Sequence, residues 1–266
     1  MIFDQMQLVD THCHLNFKSF RDDYSSVAKK SKQAGIKSVV VIGSDYQTSL
    51  KAIEVAREIN NEVGSRWAYV AVGIHPIHFE NDGDFIEIEK LAKDELVVAI
   101  GETGLDFYRC KRSVFPRQKE LMIKHIDLAN SLNIPVIFHN READEEFASI
   151  WNEIKAKKAV FHCFSSDHNF AREVMEKGYL ISFTGNITYG NKKLKKVIKR
   201  TPIERIMVET DAPYMVPEPL RSKGVKKNEP YMVLEVAKKI ALEKNIDISE
   251  VAKQTTQNAI DFFNLK

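Results

Sequence analysis

The sequence predicts an α/β protein folded as a (β/α)8 TIM barrel, and three observations support this fold class. Eight short apolar runs alternate with amphipathic stretches, which implies parallel strands joined by right-handed helical crossovers. The length of 266 residues suits eight such units closed into a barrel. No linker-like or low-complexity segment interrupts the alternation, so we expect residues 1–266 to form a single domain.

The predicted strands are runs of β-branched and other apolar residues, and this composition suits strands that are buried on both faces. They cover residues 6–9, 37–42, 67–72, 96–100, 135–138, 159–161, 179–183 and 205–208. Gly43 and Gly101 follow the second and fourth runs and end them. The alternative fold is an open, doubly wound sheet. It would need a glycine-rich turn after the first strand to bind a nucleotide, and the sequence has none there.

Amphipathic periodicity predicts seven helices between these strands and two after the last strand. They cover residues 22–34, 46–61, 85–92, 116–132, 143–155, 169–177, 192–199, 231–244 and 248–264. Gly35 and Gly178 stand where helices would end, and Pro116 suits the first turn of its helix. Residues 212–230 hold four of the eight prolines and are predicted to form an ordered long loop.

The composition is that of an ordinary globular protein, with 44% hydrophobic and 29% charged residues. A formal net charge of +2 neither demands nor excludes a nucleic-acid partner. The three cysteines are too few and too scattered for a disulfide framework, which indicates a reducing compartment. There is neither a signal-peptide pattern nor a run approaching the ~20 apolar residues that span a bilayer. We therefore expect a cytoplasmic protein without a membrane segment, and a monomer.

Two histidines, His12 and His14, directly follow the first apolar run. In an extended strand, residues two apart point to the same side, so both imidazoles can face one point, as a shared metal ion requires. The alternative is a pair of partly buried polar side chains at a strand end. The same alternation turns Cys13 away, and we interpret Cys13 and Cys163 as packing residues.

Further potential metal ligands recur at the ends of later strands, and in a barrel these ends meet at the active site. Singly, each is explained as a hydrogen-bonded histidine, a helix cap or a partner of an arginine. Together they exceed what one ion takes from a protein and suit two divalent ions that share a carboxylate. Such a site favours hydrolysis. The six candidates are His12, His14, Glu102, His139, His162 and Asp211.

Over nearly its whole length the sequence resembles the TatD family of metal-dependent deoxyribonucleases, which are barrel relatives of the amidohydrolases. The matching stretches, in order, are DTHCH at 10–14, GIHP at 73–76, GETGLD at 101–106, HNR at 139–141, HCFS at 162–165, ETDAPY at 209–214 and NEP at 228–230. Several such motifs in one order are far more specific than any one of them. The resemblance implies a barrel of the metal-dependent hydrolase type.

The resemblance also implies a role for each candidate ligand. His12, His14 and Asp211 would hold one ion, His139 and His162 the other, and Glu102 would bridge both. Asp211 would also act as general base. The ions would be Mg²⁺, Mn²⁺ or Zn²⁺. Many amidohydrolases bridge their metals with a carbamylated lysine, and no lysine stands at the end of the fourth strand here, which favours a phosphoesterase over a cyclic amidase.

The implied substrate is DNA, cleaved by a 3′–5′ exonuclease at single-stranded or frayed ends. His75 and Arg141 would contact its phosphates, and their alternatives are a histidine in a proline turn and a salt-bridged surface arginine. Phe107 and Tyr108 would fill space beneath their loop or stack on a base. The basic loop 221–227 could follow the DNA backbone. Other hypotheses are a hydrolase of a small amide, lactone or phosphoester, and a binding protein with structural metals.

Overall fold

The computed structural model describes residues 7–266, which contain eight parallel strands in sequence order, so the predicted fold class is confirmed. The strands are β1 (Leu8–Cys13), β2 (Ile36–Ile42), β3 (Ala68–Val72), β4 (Val97–Asp106), β5 (Val136–Arg141), β6 (Ala159–Phe161), β7 (Leu180–Phe183) and β8 (Ile206–Val208). The barrel closes between β1 and the segment after β8. There the amide of Asp211 donates to the carbonyl of His12 at 2.9 Å, and the amide of His14 donates to Ala212 at 2.7 Å.

Helices alternate with the strands around the outside of the barrel. They are α1 (Tyr24–Gln33), α2 (Tyr46–Val63), α3 (Phe85–Leu91), α4 (Phe115–Leu132), α5 (Asp144–Ser149), α6 (His168–Glu176), α7 (Lys192–Arg200), α8 (Val233–Lys244) and α9 (Ile248–Phe263). Acidic side chains cap several N-termini. Asp45 and Thr48 form a reciprocal capping box at α2, and Asp247 accepts from the amide of Ser249 at α9. Over residues 7–266, no helix has the length and apolar character that crossing a bilayer requires.

The strands divide the core into two layers, as strand alternation requires. Outward-facing residues such as Val39 and Val41 pack under the helices. Inward-facing residues such as Val40, Tyr69 and Met207 fill the lower part of the barrel together with the end of α9. Because the lower part is filled by these side chains, the interior is open to ligands from the other end, at the carboxyl ends of the strands.

Three strands run three or more residues beyond their predicted ends. The first runs on to Cys13, and of its predicted residues Met6 lies outside the described part of the chain. The fourth extends to Asp106 and the fifth to Arg141, so Glu102 and His139 lie within strands instead of after them. The apolar pattern stops early because side chains near the mouth point into a polar cavity, while the backbone ladder continues.

The helix predicted over residues 143–155 is also shorter in the structure. It covers only Asp144–Ser149, and turns follow it. Those turns keep Ile150 and Ile154 buried, so the apolar spacing of this stretch reflects burial without a continuous helix.

A buried histidine outside the mouth makes stability depend on pH. The His125 imidazole accepts from the amide of Ile74 at 2.9 Å and lies 2.8 Å from the carbonyl of Leu121. Burial lowers the pKa of His125 from 6.5 to about 4. The unfolded chain binds this proton below about pH 6.5 but the folded chain only near pH 4. The free energy of unfolding should therefore fall by roughly 3 kcal/mol as the pH drops across that interval.

Urea unfolding of the wild type and His125→Gln at pH 7.5, 5.5 and 4.5 checks this prediction, because the variant lacks the titrating group. The stability advantage of the wild type over the variant should shrink as the pH falls. An advantage that stays constant with pH would contradict it.

Candidate metal centre

The candidate site lies at the carboxyl ends of the strands, in a cavity of about 660 Å³. The structure brings all the predicted site residues to this place. Seven of them line the cavity, and His12 lies fully buried just beneath its wall. Those that line the cavity are His14, His75, Glu102, His139, Arg141, His162 and Asp211. They come from β4 and β5 and from the segments after β1, β3, β6 and β8, so the fold assembles the site from across the chain.

One group of ligands forms around the end of β1. The Nε2 atoms of His12 and His14 lie 3.3 Å apart, and His12 Nε2 lies 3.0 Å from Oε2 of Glu102. Asp211 Oδ1 lies 3.4 Å from His14 Nε2 and 3.8 Å from His12 Nε2. These four side chains converge on one point.

A second group lies beside the first and shares Glu102 with it. His139 Nδ1 and His162 Nε2 are 3.2 Å apart, and His162 Nε2 is 3.2 Å from Oε2 of Glu102. Gly104 helps to place His139. The φ of Gly104 is +140°, and a Cβ at this position would come within 2.1 Å of the carbonyl oxygen of His139. Only glycine lets β4 pass this close to β5.

The residues fit a pair of metal ions. Two nitrogens held about 2.1 Å from one ion at tetrahedral or octahedral angles lie about 3.0–3.4 Å apart, which matches both histidine pairs. The buried Oε2 of Glu102 lies near His12 and His162 but has no hydrogen-bond partner. Nitrogen lone pairs that face each other around an unsatisfied carboxylate oxygen are the donor set of a divalent cation.

The charges of the site favour cations as well. Burial opposes the imidazolium form of His162, but Glu102, Glu209 and Asp211 outweigh this effect and raise the pKa of His162 to about 9. Burial lowers the pKa of His12, so its imidazole stays neutral. Burial also opposes ionisation of Asp211, but the hydrogen bond from His14 dominates and lowers the pKa of its carboxyl. Anionic carboxylates thus surround the imidazoles.

Groups behind the candidate ligands contact three of the imidazoles. His14 Nδ1 lies 3.1 Å from the carbonyl of Ile42, His139 Nε2 lies 3.1 Å from Oδ2 of Asp106, and His162 Nδ1 lies 3.5 Å from Oε1 of Glu209. In each case the other ring nitrogen faces the candidate metal position. The strand-end pattern assigns no role to Asp106 and Glu209, although both stand inside the GETGLD and ETDAPY motifs.

Asp106 is buried and accepts from the amide of Arg109 at 2.7 Å as well as contacting His139. Asparagine has a single side-chain oxygen, so Asp106→Asn removes one of the two carboxylate acceptors. We expect it to weaken binding of the ion that His139 and His162 would hold by about 10–100-fold and to leave binding at the other histidine group unchanged. Titration calorimetry of chelator-treated protein with Mn²⁺ or Zn²⁺ measures both affinities.

A matched control is Asp45→Asn, because Asp45 lines the same cavity and asparagine replaces aspartate well as a helix N-cap. This control should bind both ions as the wild type does. Equal weakening of the two ions in Asp106→Asn would contradict the assignment of Asp106 to His139 alone.

His75 faces the cavity from a proline turn. Its Nδ1 accepts from the amide of Ile77 at 3.0 Å, so the neutral ring carries its proton on Nε2, which lies 3.1 Å from Oε1 of Glu102. Burial lowers the pKa of His75 well below its ordinary value and keeps the ring neutral. His75 Nε2 is therefore a hydrogen-bond donor on the cavity side of the ring, and it has no lone pair there to bind a metal.

Arg141, at the end of β5, lies with its guanidinium 3.8 Å from the centre of the Tyr108 ring. Within residues 7–266 it forms no salt bridge, unlike the surface arginine of the alternative interpretation, and it lines the cavity. Phe107 packs against the core and fills space as predicted, whereas Tyr108 is 59% exposed.

The two cysteines beside the candidate ligands have packing contacts of their own. Cys13 Sγ contacts the carbonyl of Val40 and Cys163 Sγ contacts Thr184, each at 3.5 Å. Lys227 of the basic loop pairs with Asp23 at 2.6 Å, which gives this lysine a structural partner.

Comparison with known proteins identifies the family. A family model described as TatD related DNase matches residues 9–264. The metal-dependent hydrolase YabD of Bacillus subtilis, itself described as uncharacterized, is 37% identical over 263 residues, 97% of this chain and 99% of YabD. A protein of Erwinia amylovora named 3′-5′ ssDNA/RNA exonuclease TatD is 31% identical over 97% of this chain and 100% of its own length.

A solved structure agrees with these relatives. The crystal structure of YJJV, a TatD homologue from Escherichia coli, superposes with a TM-score of 0.87 at 26% identity and covers 97% of this chain and 98% of YJJV. Family model, relatives and structure span the whole barrel together with every candidate ligand. This chain therefore belongs to the TatD family of metal-dependent hydrolases.

Proposed function

We propose that the protein is a deoxyribonuclease that hydrolyses phosphodiester bonds with two divalent ions, acting as a 3′–5′ exonuclease on single-stranded or frayed DNA ends. The observation that carries the proposal is the pair of histidine groups that share Glu102 at the floor of an open cavity. The description of the family and the name of the Erwinia relative support DNA as the substrate.

In this proposal each candidate ligand has a role. His12, His14 and Asp211 would hold one ion, His139 and His162 would hold the other, and Glu102 would contact both. The ions, when bound, make hydroxide available near neutral pH and neutralise charge on the attacked phosphate. Mg²⁺, Mn²⁺ and Zn²⁺ remain the candidates, because mixed imidazole and carboxylate ligands accept several divalent ions.

The other side chains handle protons and the substrate. Asp211, ionised and at the edge of the cavity, accepts the proton of the attacking water and passes it on quickly, because its pKa is low. His75 donates from Nε2 to a phosphate oxygen. Arg141 offers two parallel N–H groups to a neighbouring phosphate.

The depth of the site favours unpaired DNA. Glu102 and His12 are 5% and 0% exposed, so the reacting phosphate must enter the barrel mouth to reach them. A single strand or a frayed end can thread into the cavity, whereas the backbone of an intact duplex stays at the rim.

The test is hydrolysis of a 5′-labelled single-stranded oligonucleotide by chelator-treated protein, with Mg²⁺, Mn²⁺ or Zn²⁺ added back. We expect a ladder that needs metal and shortens from the 3′ end, and much slower cleavage of a blunt duplex. Protein that is shown to bind metal but cleaves no DNA with any ion would overturn the proposal. Activity on lactones, cyclic amides or small phosphoesters would then identify the alternative hydrolase.

Other predictions from the sequence stay open to measurement. The single domain over residues 1–266 should unfold in one cooperative transition. A monomer should show a mass near 30.5 kDa by light scattering, and a dimer twice that mass. The cytoplasmic location is checked by fractionation of the source cells.

A further inference from the structure

Exposed aromatic side chains are concentrated at the mouth of the barrel. Of the five large hydrophobic side chains that are exposed within residues 7–266, three are tyrosines on loops at this end. Tyr108 follows β4, Tyr189 lies beyond β7, and Tyr214 follows β8. Among these three, Tyr214 lines the cavity that holds the candidate metal ligands.

The backbone of Tyr214 is fixed although its ring is exposed. Its amide donates to the carbonyl of Asp211 at 2.8 Å, and its own carbonyl accepts from the side chain of Asn228 at 2.7 Å. Asn228 is fully buried and also bonds Thr210 and Met215, so it anchors the whole turn. The ring remains 53% exposed, and its centre lies 6.4 Å from that of His14. An exposed aromatic ring on a fixed backbone therefore lies next to a candidate metal ligand.

Cationic side chains surround the same cavity. Lys18, Arg109 and Arg141 line it, and within residues 7–266 none of them pairs with a carboxylate. Cations without acidic partners beside an exposed aromatic ring are the two components of sites that bind single-stranded nucleic acid, where bases stack and phosphates pair with charges.

We propose that Tyr214 stacks on an unpaired base of the substrate strand next to the scissile phosphate, while Lys18, Arg109 and Arg141 contact the flanking phosphates. This inference rests on the proposed nuclease function. A base within a duplex already has neighbours on both faces, so only an unstacked base offers Tyr214 a free face. The tyrosine thus makes the site specific for single strands, with little preference for sequence because every base has such a face.

The test compares two labelled oligonucleotides of equal length: twelve thymidines on one, and the same sugar–phosphate backbone without bases on the other. Fluorescence polarization gives Kd, and initial rates give KM and kcat, both for metal-loaded protein. Tyr214→Leu should weaken binding of the thymidine strand about 5- to 150-fold and leave binding of the base-free strand unchanged. Tyr214→Phe keeps the ring and should behave as the wild type.

Arg141→Gln is the matched control, because loss of a phosphate contact should weaken both strands equally. Equal weakening of both strands by Tyr214→Leu, or no weakening, would overturn the inference even if the protein cleaves DNA well. If the protein binds the thymidine strand through Tyr214 but cleaves no DNA, the nuclease proposal fails and the stacking site stands. Should Tyr214→Leu not fold, Tyr214→Gln, which keeps bulk without a ring, gives the same comparison.

Discussion

Replacing Asp211 with asparagine should lower kcat for single-stranded DNA by about 10²–10⁴-fold, the range that general bases contribute. Asparagine keeps the shape of the side chain and one oxygen for a metal, but its amide cannot accept the proton of the attacking water. In the structure, the carboxylate lies 3.4 Å from His14 Nε2 and reaches the cavity. KM should change little, because Asp211 is not proposed to contact the phosphate.

The measurement must separate proton transfer from metal loss, since Asp211 is also a proposed ligand. Rates are therefore compared at saturating Mn²⁺, with bound metal counted in the same samples. A variant that holds both ions and retains the wild-type kcat would remove Asp211 from the role of base. A variant that regains full activity only at high Mn²⁺ would show that Asp211 serves as a ligand alone.

The strand-end pattern predicted that the candidate ligands lie close together, and it did so for a physical reason. Carboxyl ends of parallel strands meet at one end of a barrel, so acidic and histidine residues that follow apolar runs must come close together. Alternation along an extended chain also predicted that His12 and His14 share a side, and their Nε2 atoms are 3.3 Å apart. These inferences need only local periodicity and one topological rule.

The sequence pattern did not predict the carboxylates that contact the candidate ligands from behind. Asp106 meets His139 across 33 positions of the chain, and Glu209 meets His162 from the end of another strand. Such pairs depend on the register between strands, which apolar periodicity does not specify. The register of β4 and β5 places Gly104 opposite His139, and this pairing brings Asp106 within reach of the imidazole.

Tyr214 shows that the sequence also does not indicate which aromatic side chains are exposed. Its position within ETDAPY gives no sign of exposure, because an aromatic residue after a strand is as easily a core residue. Only the turn anchored by Asn228 shows that the ring faces the cavity. Phe107 and Tyr108 make the same point, since of these adjacent aromatic residues Phe107 packs on the core and Tyr108 is exposed.

Glu102→Gln should cause the other large loss of activity, because one oxygen of this carboxylate faces a histidine of each group. His12 and His162 lie 3.0 and 3.2 Å from the same oxygen of Glu102. Replacing a group behind a metal ligand costs about 10–100-fold in affinity, so loss of a shared ligand charge should weaken each ion by at least roughly 100-fold. Hydrolysis at limiting metal should then fall to the level of the chelated protein.

Glu209→Gln separates this effect from the loss of any buried negative charge. Glu209 is 1% exposed and lies 3.5 Å from His162 Nδ1, on the side of the ring away from Glu102, so its variant should weaken binding of each ion less than Glu102→Gln does. Metal analysis of both variants, with calorimetry, measures the two affinities in each. Two unchanged affinities in Glu102→Gln would reject a shared carboxylate, and loss of metal with full activity would assign the ions a structural role.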